Sequence, residues 1–356
     1  MRVGILSYPM LFQRAGGLQI QLRETIAALS RLTLPDGPLQ AELVDASHHR
    51  LDDYHLIHVF SAINGNHRVV ESASEMGVPV VLSPLLSPGW NRAAGLRARV
   101  ANHLAGRLTA WNVQTSYAQT RRALQLAQRV IALGAPERTA IVSGFRIDAA
   151  KIRVLPNGIS PHFFQADGAL FRASSGVRGH FLLMVGAISP YKNQLGVVQA
   201  LASSALPVVL IGHAQQQDQP YLQYILRYPN VHWIGELDHA DPLLASAYGA
   251  ASVTALLSQG EVFPLTVLES LAAGTPVVMS ADSALHLPGS EFALKQLRWD
   301  AAAAQRKAIL ALVSAPPERS AVSALVAEFS WQRVAGQLAR CYAELLSARR
   351  GAAHAV

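Results

Sequence analysis

Cysteine is nearly absent: 356 residues hold one, Cys341. That excludes a disulfide framework and a cysteine-based metal centre. No apolar run approaches the roughly eighteen residues that a spanning helix needs, so no membrane span is expected. The start, MRVGILSYPM, holds one basic residue and a very short apolar run. It reads as a first strand and not as a signal peptide. Low-complexity tracts are missing, and 51% of the residues are apolar, so the chain is globular and long enough for two domains. These features suit a cytoplasmic protein.

Acid is missing from one region in particular. Asn91 to Val130 contains seven arginines (Arg92, Arg97, Arg99, Arg107, Arg121, Arg122 and Arg129) and no Asp or Glu, against a net charge of +7 for the whole chain. Leu96, Val100, Leu104 and Leu108 recur every four positions, which predicts an amphipathic helix. Such a face suits an anionic membrane or acceptor. A core-facing stripe with solvated arginines explains it equally well. No nucleic-acid partner is expected, because no recognisable binding module accompanies the charge.

The first half alternates strand-like runs (RVGILSY, LIHVFSA, VPVVLSP, RVIALG, IRVLPNGI) with helical patterns. The second half repeats this rhythm from HFLLMVGAI through LPVVLIG, NVHWIG, ASVTALL and TPVVMS. Each half therefore reads as a parallel α/β sheet. The expected division is 1–165, a linker at 166–179, a second domain at 180–330, and a final helix at 331–356 with a frayed GAAHAV tail. Two such domains would enclose a cleft suited to a reaction between two substrates.

Three segments stand out chemically. Gly16 and Gly17 lie between the first strand and first helix, where free N–H groups favour an anion, although a plain turn explains them equally well. Lys192, in VGAISPYKNQ, follows the first strand of the second half and would neutralise a phosphate as a point charge. In SQGEVFPLTVLESLAAG, Glu261 lies on a loop and Glu269 on the helix that follows, ended by Gly274. Carboxylates accept sugar hydroxyls well. Glu269, between Leu268 and Leu271, is expected to be nearly buried and so to need a partner.

Glu261–VFPLTVL–Glu269, with KIRVLPNGI, VGAISPYKNQ, NVHWIGEL and FSWQRVAGQLARCY, resembles the retaining GT-B glycosyltransferases of family GT4, the group 1 family. The resemblance runs along essentially the whole chain. It implies a GT-B fold, with two facing Rossmann-like domains around an interdomain cleft and the last helix packed back on the first domain. It implies that Glu269 binds the ribose of a nucleotide-sugar donor and that Glu261 contacts the transferred sugar. Amides of Val262, Phe263, Pro264 and Leu265 would meet the sugar and phosphates, and Lys192 the diphosphate. Gly16, Gly17, Gly186 and Gly235 would complete the donor site, with the base met by backbone near Gly212–His213 and Gly235–Leu237. Three departures stand out. Ala187 replaces an arginine of the family's VGR, Leu85 stands where a histidine is common, and VFPL replaces GFGL.

The implied activity is retaining transfer of a hexose-type sugar to a carbohydrate or lipid-linked glycan acceptor. No cofactor is expected beyond the donor, and no metal, since no Asp-x-Asp motif is present. Lys192 and Glu261 are the residues expected at the reacting centre. His48, His49, His58, His67 and His103 are acceptor-side candidates. The alternatives are a non-catalytic sugar-nucleotide binder and a sugar-nucleotide epimerase of the same fold. Contact with an anionic membrane on its cytoplasmic face would run through Arg92–Arg129.

Overall fold

Runs that are apolar on both faces become central strands. LIHVF, VVLS, VVLI, VTAL and VVMS are buried at every position, as expected of parallel strands covered on both sides by helices. The computed structural model describes residues 1–13, 16–34, 37–45, 48–109 and 114–353. The chain divides into two units. One gathers the first strand, Leu18–Gly158 and the chain from Trp331 onward; the other gathers Ile159–Ser330.

In chain order the first unit contains β1 (Arg2–Leu6), α1 (Gly17–Leu29), β2 (Thr33–Leu34), β3 (Gly37–Pro38), β4 (Gln40–Leu43), β5 (Leu56–Phe60), α2 (Asn66–Glu75) and β6 (Val80–Ser83). It continues with α3 (Arg92–Leu108), α4 (Ser116–Leu126), β7 (Arg129–Ala132), α5 (Ala135–Phe145) and β8 (Ile152–Val154). Its sheet runs β4-β1-β5-β6-β7-β8, parallel throughout, and β2 and β3 form a separate antiparallel pair.

The second unit contains α6 (Ala169–Ser175), β9 (Leu182–Val185), α7 (Gln194–Leu201), β10 (Val208–Ile211), α8 (Gln219–Ile225), β11 (Val231–Gly235) and α9 (Pro242–Ala250). Then come β12 (Val253–Leu256), α10 (Leu265–Ala272), β13 (Val277–Ser280), β14 (Leu294–Leu297), α11 (Ala302–Ser314) and α12 (Arg319–Ala324). Its parallel order is β11-β10-β9-β12-β13-β14, the doubly wound arrangement in which the connections reverse direction between β9 and β12.

The last helix, α13 (Trp331–Ala353), belongs to the first unit. Its buried Tyr342 meets His58 of β5, with the hydroxyl 2.6 Å from Nδ1. The helix runs to Ala353, through half of the stretch expected to fray; residues 354–356 lie outside the described residues. No described helix is long and apolar enough to cross a membrane.

The stretch 166–179 is not a linker. Pro161–Phe163 forms a 3-10 turn, and α6 packs on α9. Phe163 and Phe171 are fully buried, and the Phe171 N–H donates to Ser246 Oγ at 2.9 Å. A single turn and a seven-residue helix are too short to show a period, which is why the sequence reads as irregular there. The change of unit falls at Gly158–Ile159, earlier than the expected 165.

Helix α3 is inverted relative to an ordinary surface helix. It docks by small residues. A Cβ on Gly95 would stand 2.0 Å from the Gly144 carbonyl oxygen of α5, Gly106 is buried, and Ala98 packs on the core. Asn102 Oδ1 accepts from Thr115 Oγ1 at 2.9 Å. The large residues point outward: Leu96, Val100 and Leu104 are each more than half exposed and Leu108 is 86% exposed. The stripe does not face the core.

Candidate active site

Ligands of open parallel sheets bind beyond the strand carboxyl ends where the connections reverse. In the second unit that place lies past β9 and β12. The loop after β9 carries Gly186 and Lys192, and the loop after β12 carries Glu261. The two loops are joined. Lys192 Nζ donates to Glu261 Oε1 at 2.5 Å, and the pair is largely shielded, with side chains 24% and 15% exposed. Tyr191 Oη donates to the Gly260 carbonyl at 2.6 Å, and the Gln259 N–H to the Tyr191 carbonyl at 3.0 Å. Burial, then the nearby charges of Glu261 and Asp282, push the Tyr191 hydroxyl up, so it stays protonated as a donor.

The Glu261 loop is held from its other side too. The Glu261 N–H donates to the Asp282 carbonyl (3.0 Å) and the Ala284 N–H to the Val262 carbonyl (2.7 Å). Phe263, Pro264 and Leu265 are buried, and Phe263 packs near Phe329. Pro264 has no N–H, so it cannot donate to a ligand, and its fixed φ instead starts α10. Among residues 262–265 only three amides exist to contact a phosphate or sugar.

Glu269 is the fifth residue of α10 and is 5% exposed. It has the partners its burial demands: His239 Nε2 lies 2.9 Å from Oε1, and Tyr248 Oη donates to Oε2 at 3.1 Å. Burial and the Glu269 charge push the Tyr248 hydroxyl well up, which keeps it protonated. His239 lies edge-on to His162 and tilted against Phe163, so the stretch leading into the expected linker forms one wall of this corner.

Gly186 and Gly212 are glycines for backbone reasons. Both have positive φ, and a Cβ on Gly212 would stand 2.0 Å from the Gly186 carbonyl oxygen. The Gly212 N–H donates to the Gly235 carbonyl at 2.7 Å, which closes the ends of β9, β10 and β11 together. Ala187 is exposed, and its carbonyl accepts from Gln194 Nε2.

The structure thus brings Gly186, Lys192, Glu261, Val262 and Glu269 to one end of the second sheet. Sequence reasoning missed Tyr191, His239 and Tyr248, which hold that end together. Gly16 and Gly17 stand at the start of α1, and a Cβ on Gly16 would meet nothing within 4 Å. His58 is not an acceptor contact. It is fully buried, lies 2.9 Å from Ser83 Oγ as well as against Tyr342, and is pushed down to about 3 by burial. His48 pairs with Asp45 and His49 with Tyr54, while His67 is buried. Leu85 has φ of 56°, and its neighbour's N–H, on Leu86, donates to Glu137 Oε1 at 2.7 Å. Among the described residues no three His, Cys, Asp or Glu side chains gather as a metal site.

Each unit holds a doubly wound parallel sheet, the pair of sheets that a GT-B fold has. Residues 171–286 match the family "Glycosyl transferases group 1". The chain is similar to that family over those residues, and its fold is GT-B. It is 29% identical over 265 residues to D-inositol 3-phosphate glycosyltransferase of Kineococcus radiotolerans, an alignment covering 69% of this chain and 57% of that protein. It is 32% identical over 200 residues to glycogen synthase of Mycobacterium tuberculosis, covering 48% of this chain and 43% of that one. The chain thus spans about half the length of these relatives. Among solved structures, sucrose-phosphate synthase from Thermosynechococcus elongatus superposes with a TM-score of 0.73 at 20% identity, covering 98% and 99% of the two chains. HepE of Anabaena in complex with UDP superposes at 0.65 and 18%, covering 97% and 100%.

Proposed function

We propose that this protein transfers a hexose-type sugar, with retention and without a metal ion, from a nucleoside-diphosphate sugar to a carbohydrate or lipid-linked glycan acceptor. The Lys192–Glu261 pair beyond β9 and β12 carries this reading. It sets a cation for the diphosphate beside a carboxylate for the sugar. On donor binding, Lys192 turns from Glu261 to the phosphates, and Glu261 accepts sugar hydroxyls. Glu269, braced by His239 and Tyr248, accepts from the ribose. The anomeric carbon–oxygen bond to the diphosphate breaks, and the acceptor oxygen bonds on the same face. Its proton passes to the departing phosphate oxygen. Charge on that oxygen is met by Lys192 and the α10 amides.

The test is a screen of nucleotide sugars in the presence of EDTA, with bound nucleotide read by mass spectrometry and the anomeric configuration of product by NMR. Retained configuration is expected. Inversion, or a need for divalent metal, would refute the mechanism. Binding without turnover would favour the non-catalytic alternative, to which the absent Arg at 187 and His at 85 already point.

We also propose that the outward face of α3 rests on the anionic cytoplasmic surface of a membrane. Its support is the exposed Leu96–Leu108 stripe, with the exposed Arg97 and Arg107 between its members. Binding to anionic but not neutral vesicles, weakened by salt, is the expected result.

A further inference from the structure

A cavity of about 620 Å³ opens in the first unit where α3 crosses the C-terminal end of α5. It is lined by Arg92 and Arg99 of α3, by Val142 and Ser143 of α5, and by Arg146 and Asp148 just beyond. Arg92, Gly95 and Arg99 share one face of α3, since positions three and seven apart lie nearly above one another. Gly95 seats that face against Gly144, so the two arginines flank the contact and overhang the end of α5. We propose that this cavity binds a phosphate group, either free or as the headgroup of a lipid, through Arg99, Arg92 and Arg146.

Three observations carry the proposal. Arg99 Nη1 is sealed from solvent and has no hydrogen-bond partner among the described residues. A guanidinium donor left unmatched is costly, and since Arg99 lines the cavity, a turn of its side chain brings that donor to a phosphate oxygen there. Second, Arg146 is the C-cap of α5 with φ of 57°, a left-handed position that favours glycine or asparagine. The helix dipole accounts for a cation near that end but not for one in this strained place. Third, the lining holds three guanidinium groups against one carboxylate, and one oxygen of that carboxylate, Asp148 Oδ1, is already engaged by the Ala150 N–H. Guanidinium forks match phosphate oxygens in pairs. The exposed apolar stripe of α3 lies beside the cavity, where the acyl chains of a lipid bearing that headgroup would run.

For the source of the phosphate the inference rests on the membrane reading of α3; for the pocket itself it does not. The full chain is titrated with inorganic phosphate and with dihexanoyl phosphatidic acid, and is sedimented with phosphatidylcholine vesicles with and without phosphatidic acid. Arg99→Gln and Arg146→Gly are each expected to weaken phosphate or phosphatidic acid binding about tenfold or more, the effect of removing one charge-assisted hydrogen bond. Arg146→Gly should melt no lower than the parent, because glycine suits its φ, so its weaker binding is not misfolding. Unchanged affinities in both variants, or no binding of either compound by the parent, overturn the proposal. Vesicle binding that survives both arginine variants but disappears when Leu104 and Leu108 are changed to Ser overturns the lipid headgroup as the source of the phosphate and leaves the membrane reading standing. Arginine-dependent phosphate binding with no vesicle binding supports the pocket and sinks the membrane reading.

Discussion

Lys192 Nζ and Glu261 Oε1 stand 2.5 Å apart, and the residue before each also faces the other loop: Tyr191 Oη donates to the Gly260 carbonyl. One contact is ionic and exchangeable, and the other is a neutral clasp that holds the loops in place while the first opens. Lys192→Ala should lower turnover by about 10²–10³, the effect of removing one preorganised group from a developing anion. Tyr191→Phe keeps the charges and loosens the clasp, so it should raise KM more than it lowers kcat. Equal effects of the two changes on kcat would refute this division of roles.

Ala187 tests whether the phosphate site keeps family geometry. Its side chain is exposed and only its carbonyl is engaged, by Gln194. Ala187→Arg therefore has room, and it should tighten nucleoside diphosphate binding in titration calorimetry. Weaker binding with unchanged melting would show that the anion sits elsewhere.

Glu269 accepts from two side chains before any ligand arrives. Glu269→Ala should abolish most nucleotide affinity and also cost stability, because Tyr248 is fully buried and would lose its acceptor. Tyr248→Phe should cost nucleotide affinity less, about 1 kcal/mol, as for one hydrogen bond that aims the carboxylate. Glu261→Ala should weaken the nucleotide sugar and leave the bare diphosphate near normal. Calorimetry with both ligands checks all three. Parallel losses on both ligands in Glu261→Ala would remove its assignment to the sugar.

The central strands were legible because parallel strands covered on both faces are apolar without interruption. The edge strands β4 (QAEL) and β14 (LKQL) were not, since half-exposed residues carry no such run. Glu261, Glu269 and Lys192 drew attention because a carboxylate or cation near the end of an apolar strand is uncommon, and the structure pairs Lys192 with Glu261 and gives Glu269 two partners. His239 and Tyr248 could not: they come from the turn before α9 and from α9 itself, and only the crossing of α9 and α10 brings them to Glu269. The α3 stripe left two orientations open, and only packing decided between them. A period-four run of Leu and Val normally faces the core, but Gly95 and Gly106 allow a closer approach on another side of the helix, and packing followed the glycines.

That close approach has a measurable consequence. Gly95→Ala places a methyl 2.0 Å from the Gly144 carbonyl oxygen, backbone that cannot turn aside. A loss of about 1–3 kcal/mol is expected, the usual cost of overpacking. Leu96→Ala, one position along on the exposed stripe, truncates a side chain that is more than half exposed and should be close to neutral. Denaturant midpoints of both variants decide it; a neutral Gly95→Ala would show that α3 is not seated there.

Two buried groups of the first unit should oppose each other in pH dependence. Burial holds His58 at about 3, below its ordinary 6.5. Between those values the unfolded chain binds a proton that the folded chain does not, so this histidine makes stability rise with pH. Burial pushes Glu137 up to about 7 from 4.5, outweighing the amides of Leu133 and Leu86 that donate to it at 2.7 Å. Over that window the folded chain holds the extra proton, and stability falls as pH rises. Each slope is about 1.4 kcal/mol per pH unit, and they cancel where both apply, from about 4.5 to 6.5. The parent should therefore be nearly flat there in these two contributions. Glu137→Gln should unmask a stability that climbs with pH, and His58→Asn one that declines. Hydrogen exchange of the β5 and β6 amides, followed across this range, reads the unit directly. The same slope in parent and both variants would show that neither group titrates as its burial dictates.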